Sequence, residues 1–207
     1  HYYSNHFFWN NHFGNMNTSR LGLQLFWDRL KMTLGADYSV YKNVLYFDSL
    51  ARAAQYNGQV QVFHAFFQKN IHLFNWHLDN KVTFQQAPGS SVIRLPQWVL
   101  EEALYYENTF FKKVARLQVG LNLFYVSAYY ANAYMPATGQ FYLQDKVKTG
   151  NYPALNFFIN AQVKSVRVFF KIDHLNANLT PGVYALTPYN PMNGRAFKFG
   201  ASWLFFV

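Results

Sequence analysis

Many ionisable residues in this chain stand alone within strand-like stretches, out of phase with rows of apolar ones. Arg20, Lys31, Asp37, His77, Asp79, Lys81, Arg116, Arg167, Lys171, Asp173 and Lys198 each alternate with aliphatic or aromatic neighbours. Side chains at i and i+2 of an extended strand share one face. The charges are therefore expected on one polar face of a sheet, opposite an apolar face. They are mainly basic. Lining an aqueous passage, such side chains set ion selectivity through their local field, and the excess of Lys and Arg predicts a weak anion preference. The competing expectation is that they pair with carboxylates on neighbouring strands and only solvate a wall.

Other chemistries find little support. The chain has no cysteine, which removes thiolate metal sites and thiol nucleophiles. His72 and His77 are read as lying on one strand and, five apart, on opposite faces. His6 and His12 share a face but are separated by about 20 Å of extended chain. No metal site and no cofactor are expected. A hydrolase needs a nucleophile, base and orienting acid within hydrogen-bond reach; Ser202 lacks a G-x-S-x-G setting, and Asp173 and His174 are sequence neighbours that point opposite ways. No catalytic residues are expected, so an enzyme is not. The net charge of +9 is spread singly, with Lys112-Lys113 the one adjacent basic pair. Without a basic helix or phosphate-binding loop it does not predict nucleic-acid binding.

The elements that must position these charges follow from period-two patterning. Leu21, Leu23, Leu25 and Trp27 alternate with Arg20, Gly22, Gln24 and Phe26. After a break at Asp28-Arg29, the row Leu30, Met32, Leu34, Ala36, Tyr38 and Val40 opposes Lys31, Thr33, Gly35, Asp37, Ser39 and Tyr41. The same reading gives strands over 2–13, 18–27, 30–42, 58–69, 71–86, 97–107, 113–128, 153–163, 166–176 and 195–207. Register over 58–69 is ambiguous, because Val60 and Val62 point one way and Phe63, Ala65 and Phe67 the other. Breaks at 28–29, near 70, at 108–112 and at 164–165 are tight. Those at 43–57, 87–96, 129–152 and 177–194 are long. Strict alternation of short and long connections is the habit of an outer-membrane barrel.

Composition decides which face meets what. Only 13% of the 207 residues are charged while 21% are aromatic, and mean hydropathy is −0.13. The polar phase of each strand is Gly, Asn, Gln, Thr and Ser with few charges. That is too thinly charged for the outer skin of a soluble sandwich, and it suits a water-facing lumen. Aromatics cluster at strand ends (Tyr41, Tyr105-Tyr106, Phe110-Phe111, Tyr129-Tyr130), where membrane barrels carry interfacial girdles. No apolar run is long enough for a transmembrane helix.

Several stretches carry a family resemblance. These are YYANAYMPATGQFYLQDKVKTGNY at 129–152, NYPALNFFINAQVKSVRVFFKIDHLNA at 151–177 and YNPMNGRAFKFGASWLFFV at 189–207, with FFWNNHF at 7–13, QYNGQ at 55–59, HLDN at 77–80 and VIRLPQ at 92–97. Together they resemble the putative-porin family of Bacteroidetes outer membranes. The resemblance implies an all-β, antiparallel transmembrane β-barrel domain over 1–207, the C-terminal portion of a larger barrel, in the bacterial outer membrane. It implies passive diffusion of small polar solutes. The alternative is a non-conducting barrel that docks a surface lipoprotein or a secretion or assembly machinery, with the long loops folding outward to a partner rather than inward to narrow the passage. Expected partners are outer-membrane lipid and lipopolysaccharide, the barrel-insertion machinery, and other outer-membrane proteins or surface lipoproteins. The last strand, with Phe197, Phe199, Trp203, Phe205 and Phe206, is expected to carry the insertion signal, although Val207 rather than an aromatic ends it.

Overall fold

The computed structural model describes residues 2–3, 8–112, 114–179 and 184–205. Two short strands, β1 (Tyr2–Tyr3) and β2 (Phe8–Trp9), pair with each other. The main sheet begins with β3 (Asn17–Trp27), β4 (Met32–Phe47), β5 (Ala53–Leu73), β6 (Trp76–Gln86), β7 (Trp98–Phe110) and β8 (Ala115–Val126). A small pair, β9 (Ala133–Met135) with β10 (Gln140–Tyr142), interrupts the next loop. Then follow β11 (Ala154–Val163), β12 (Val166–Asp173) and β13 (Ala196–Trp203). All pairings are antiparallel, and the nine-stranded sheet has the order β13-β12-β11-β8-β7-β6-β5-β4-β3. Every strand lies beside its chain neighbour, a meander with edges at β3 and β13.

The alternating pattern makes this a two-faced sheet. Pairing runs Leu23↔Ala36↔Ala65↔Phe84↔Trp98 on one face and Gly22↔Asp37↔His64↔Gln85 on the other. The ambiguous stretch is thereby settled: Phe63, Ala65 and Phe67 join the apolar face, while Val60 and Val62 lie on the polar one. Among the described residues, none covers the apolar face. Leu21 is 80% exposed and Phe199 84%, which in water would cost roughly 25 cal/mol per Å2 of apolar surface left uncovered. Hydrocarbon removes that cost, and antiparallel pairing satisfies the backbone of strands inside it.

Three sequence expectations are corrected. The segment 2–13 is not a strand of the main sheet; Tyr2–Tyr3 and Phe8–Trp9 form their own pair, and His1 and residues 4–7 lie outside the described ones. The expected long break at 43–57 shrinks to 48–52, because β4 and β5 extend past a bulge between Lys42 and Val44. Asp48 closes this turn by accepting the N–H groups of Leu50 and Arg52, each at 2.9 Å, and the Arg52 guanidinium. Partial burial pushes its carboxyl pKa up, but these bonds outweigh it and hold the pKa below the ordinary range. Finally, the tight turn expected near residue 70 falls at Phe74-Asn75. Phe74 takes a φ of 55°, and Asn75 exchanges bonds with Glu107 across the end of β7, its Nδ2 donating to the Glu107 carbonyl at 2.9 Å.

Candidate functional site

The polar face is built from residues that the register brings side by side. Among the sequence-predicted charges, Arg20, Asp37, Asp79, Lys81, Arg116, Arg167, Lys171, Asp173 and Lys198 all lie on it. Lys31 does not sit on a strand: it ends the one-turn 3-10 segment Asp28–Leu30, with a φ of 45°. Three further residues of this face escaped the sequence reading. His64 is opposite Asp37, Glu101 is opposite Lys81, and Glu107 is opposite Gln118. The two carboxylates were hidden because Val99 and Ala103, apolar residues, share the polar face of β7 and blur its alternation.

These additions change the charge balance. Arg20 makes a two-pronged bond to Asp37, Nε to Oδ1 at 3.0 Å and a terminal nitrogen to Oδ2 at 2.8 Å, and His64 Nδ1 meets the same Oδ2 at 2.9 Å. Glu107 accepts from Arg116 at 2.7 Å and from Gln118 at 2.6 Å. Lys81 lies 3.4 Å from Glu101. Asp173 receives Lys171 at 2.7 Å and also Lys198. Cross-strand pairing of opposite charges is thus the rule, as the competing expectation had it. Arg167 and Asp79 are the exceptions, with no ion pair among the described residues. Arg167 lies with Arg116, Gln118, Asn160, Gln162 and Ser202 around a cavity of about 530 Å3 near the tight-turn end. One cationic centre surrounded by amides and a hydroxyl is a place where a small anion would be favoured over a cation.

Glycines on this face make room for rings. Gly35 pairs with Phe66, Gly200 with Phe169, and Gly120 with both Tyr105 and Phe158. A methyl group on Gly120 would press on the Tyr105 backbone and on the Leu104 carbonyl oxygen at 2.5 Å. His72 and His77, expected on opposite faces of one strand, are instead direct partners on β5 and β6, with ring centroids 4.3 Å apart. The later turn is the cause, since it places the two on different strands. Tyr105 stacks on His77 at 4.7 Å. No cluster of three or more metal-ligating side chains occurs among the described residues.

At the other end, loops fold over the polar face. Val92 and, beside it, Ala87, Ile93 and Leu143 pack against Val60, Val62 and Tyr41, all of which belong to that face. Arg94 bridges the two loops to Asp145 at 2.8 Å, and the Leu143 N–H reaches the Phe47 carbonyl at 3.0 Å. Gln144 pins its loop from within: its Nε2 donates to the carbonyls of Ala131 (2.6 Å) and Val147 (2.8 Å), and its Oε1 accepts from the N–H groups of Lys146 and Val147. A second lock joins the last loop, where His174 meets the Tyr152 hydroxyl and the Asn193 carbonyl, each at 2.8 Å.

A nine-stranded antiparallel meander, apolar on one side and charged on the other, is the wall of a membrane barrel. The family comparison agrees: the Porin_10 model, described as "Putative porin", matches residues 1–207, the whole chain. The chain belongs to this porin family. No curated protein and no solved structure matches it. For a porin-family chain, the strand β13 takes on added interest. Its Phe197, Phe199 and Trp203 lie on the apolar face, and Phe205, beyond the strand, stacks on Trp203 at 4.5 Å. Phe206 lies outside the described residues.

Proposed function

We propose that this chain forms wall of an outer-membrane channel through which small polar solutes diffuse passively, with the charged face toward the water-filled lumen. One observation carries the reading: the polar face holds ion pairs that join β3–β4–β5, β6–β7–β8 and β12–β13, while the opposite face of the same strands is largely bare and apolar. The porin family supports the same assignment. Loops 87–97 and 127–153 packed over the polar face favour a passage narrowed at its long-loop end, and they speak against loops held outward as a docking platform. Diffusion rather than chemistry is the activity proposed.

Selectivity follows from the pairing. Most charges are neutralised locally, so the lumen field is weak; the unpaired Arg167 and the two lysines sharing Asp173, offset in part by the unpaired Asp79, leave a small positive excess. The test is single-channel recording in a planar bilayer with a salt gradient. Stable ohmic steps with a reversal potential of weak anion preference are expected, and Arg167→Glu should move that potential toward cations. Cation preference in the unaltered protein refutes the basic-lumen assignment. A sealed bilayer despite verified insertion refutes the channel and returns the platform reading.

A further inference from the structure

Between its aromatic edges on β6 and β7, the apolar face is interrupted by a row of polar side chains. Lys69, Asn80 and Glu102 are successive partners on β5, β6 and β7, so they form a straight row across three strands. Among the described strand residues of that face, the other charged side chain is Lys42, which lies at the long-loop end opposite Asn17 and Gln59. Rows of apolar residues flank the interruption, Phe67–Val82–Leu100 on one side and Ile71–Leu78–Leu104 on the other.

Depth makes this row costly. Two aromatic pairs mark the edges of the apolar band on these strands: Trp76 against Tyr106, with centroids 5.4 Å apart, and Phe84 against Trp98, at 4.9 Å. Asn80 lies midway between Trp76 and Phe84, and Glu102 midway between Trp98 and Tyr106. The amide and the carboxyl are therefore at the middle of the band, about 13 Å along the strand from either aromatic rung. An ionisable group at that depth on a lipid-facing wall is disfavoured, and it is ordinarily met by a protein partner. Within the chain only part of the need is satisfied. Lys69 Nζ donates to the Leu30 carbonyl at 2.8 Å and Asn80 Nδ2 to the Lys69 carbonyl at 3.3 Å. Among the described residues the Glu102 carboxylate has no hydrogen bond or ion pair.

We propose that this row is the centre of a two-fold interface with a second copy of the chain in the membrane, in which Lys69 of each subunit faces Glu102 of the partner subunit. The order cation, amide, anion is self-complementary. A two-fold axis along the membrane normal through Asn80 exchanges the two ends of the row, bringing unlike charges together twice and the two amides together at the axis. Isologous contact of this kind needs a single patch. Lys69 and Glu102 are separated by two strand spacings, about 10 Å, which the lysine stem can span. Two of its three ammonium protons remain free after the bond to Leu30. The inference rests on the membrane-wall reading above.

Because the chain has no cysteine, Asn80→Cys is a single reporter at the proposed axis. Folded protein is reconstituted into liposomes, insertion is verified by flotation, and the sample is oxidised. A disulfide-linked dimer is expected for Asn80→Cys and not for Phe157→Cys, three strands away along the same face. Glu102→Lys should reduce the linked fraction by at least about tenfold, since like charges then meet across the interface, and adding Lys69→Glu should restore it. Protein that fails to float overturns the membrane reading itself. Protein that floats but shows equal linking at positions 80 and 157, or none at 80, overturns the dimer alone, as does a Glu102→Lys protein that links as well as its parent.

Discussion

At the scale of single residues, much of this molecule is governed by what small side chains leave free. Gly120 is the clearest case, since Tyr105 and Phe158 flank it on either side and the Leu104 carbonyl lies where its Cβ would be. Gly120→Ala is expected to destabilise the folded protein by roughly 1–3 kcal/mol, as overpacking does. Gly194→Ala, with nothing within 4 Å of the added methyl, should stay within about 0.5 kcal/mol of the parent. Guanidinium titration of lipid-inserted protein measures both, and equal midpoints would show that the β7–β8 contact tolerates a side chain. Sequence alone places Gly22 and Gly35 in the polar phase of their strands, because parity along a strand is local information. The aromatic partner of Gly35 was not legible, since cross-strand neighbours depend on where the turns fall. The same limit hid Glu101 and Glu107 as counter-charges, and it turned a listing of mostly basic residues into a nearly balanced wall.

Strands and loops differ in how far local pattern determines them. The hairpins β3–β4 and β11–β12 were readable because alternation runs on both sides of a turn of four or two residues. β5 was not. Its Val60 and Val62 lie on the polar face to receive the loops, so the polar phase there reads as apolar and the strand's length and turn were misplaced. Loop direction was equally beyond pattern: whether 129–152 points away or folds in is decided by packing against residues more than eighty positions upstream. Gln144 holds that arrangement, and replacing it leaves the carbonyls of Ala131 and Val147 without their buried donor, at about 1–3 kcal/mol per unsatisfied group. Gln144→Ala is therefore expected to raise single-channel conductance and to speed tryptic cleavage at Lys146 and Lys148, with the sheet's unfolding midpoint nearly unchanged. Unchanged conductance alongside faster cleavage would mean that the loop rests over the face without narrowing the passage.

Considered as a whole molecule, the sheet raises a question of parity. β3 runs from the long-loop end to its tight turn, and each later strand reverses direction, so the ninth strand, β13, runs the same way as β3. Joining the two edges directly would make a parallel seam in an otherwise antiparallel wall. Single-chain bacterial barrels close with even numbers of antiparallel strands, and an open edge inside hydrocarbon leaves a row of unpaired N–H and C=O groups. Closure on the bacterial pattern therefore requires an odd number of further strands between β13 and β3. Even one such strand sets the edges about 10 Å apart, beyond the 4.4–6.8 Å separation of Cα atoms that a disulfide bridges. Cysteine pairs make the distinction directly in a chain that has none of its own. Leu23→Cys combined in turn with Phe197→Cys, Phe199→Cys and Ala201→Cys should give no intramolecular disulfide in membrane-inserted protein, while Leu23→Cys with Ala36→Cys, direct partners across β3 and β4, should close readily. A bond formed between β3 and β13 in any of these registers would establish a parallel seam and a nine-stranded barrel, and the parity requirement would then fail.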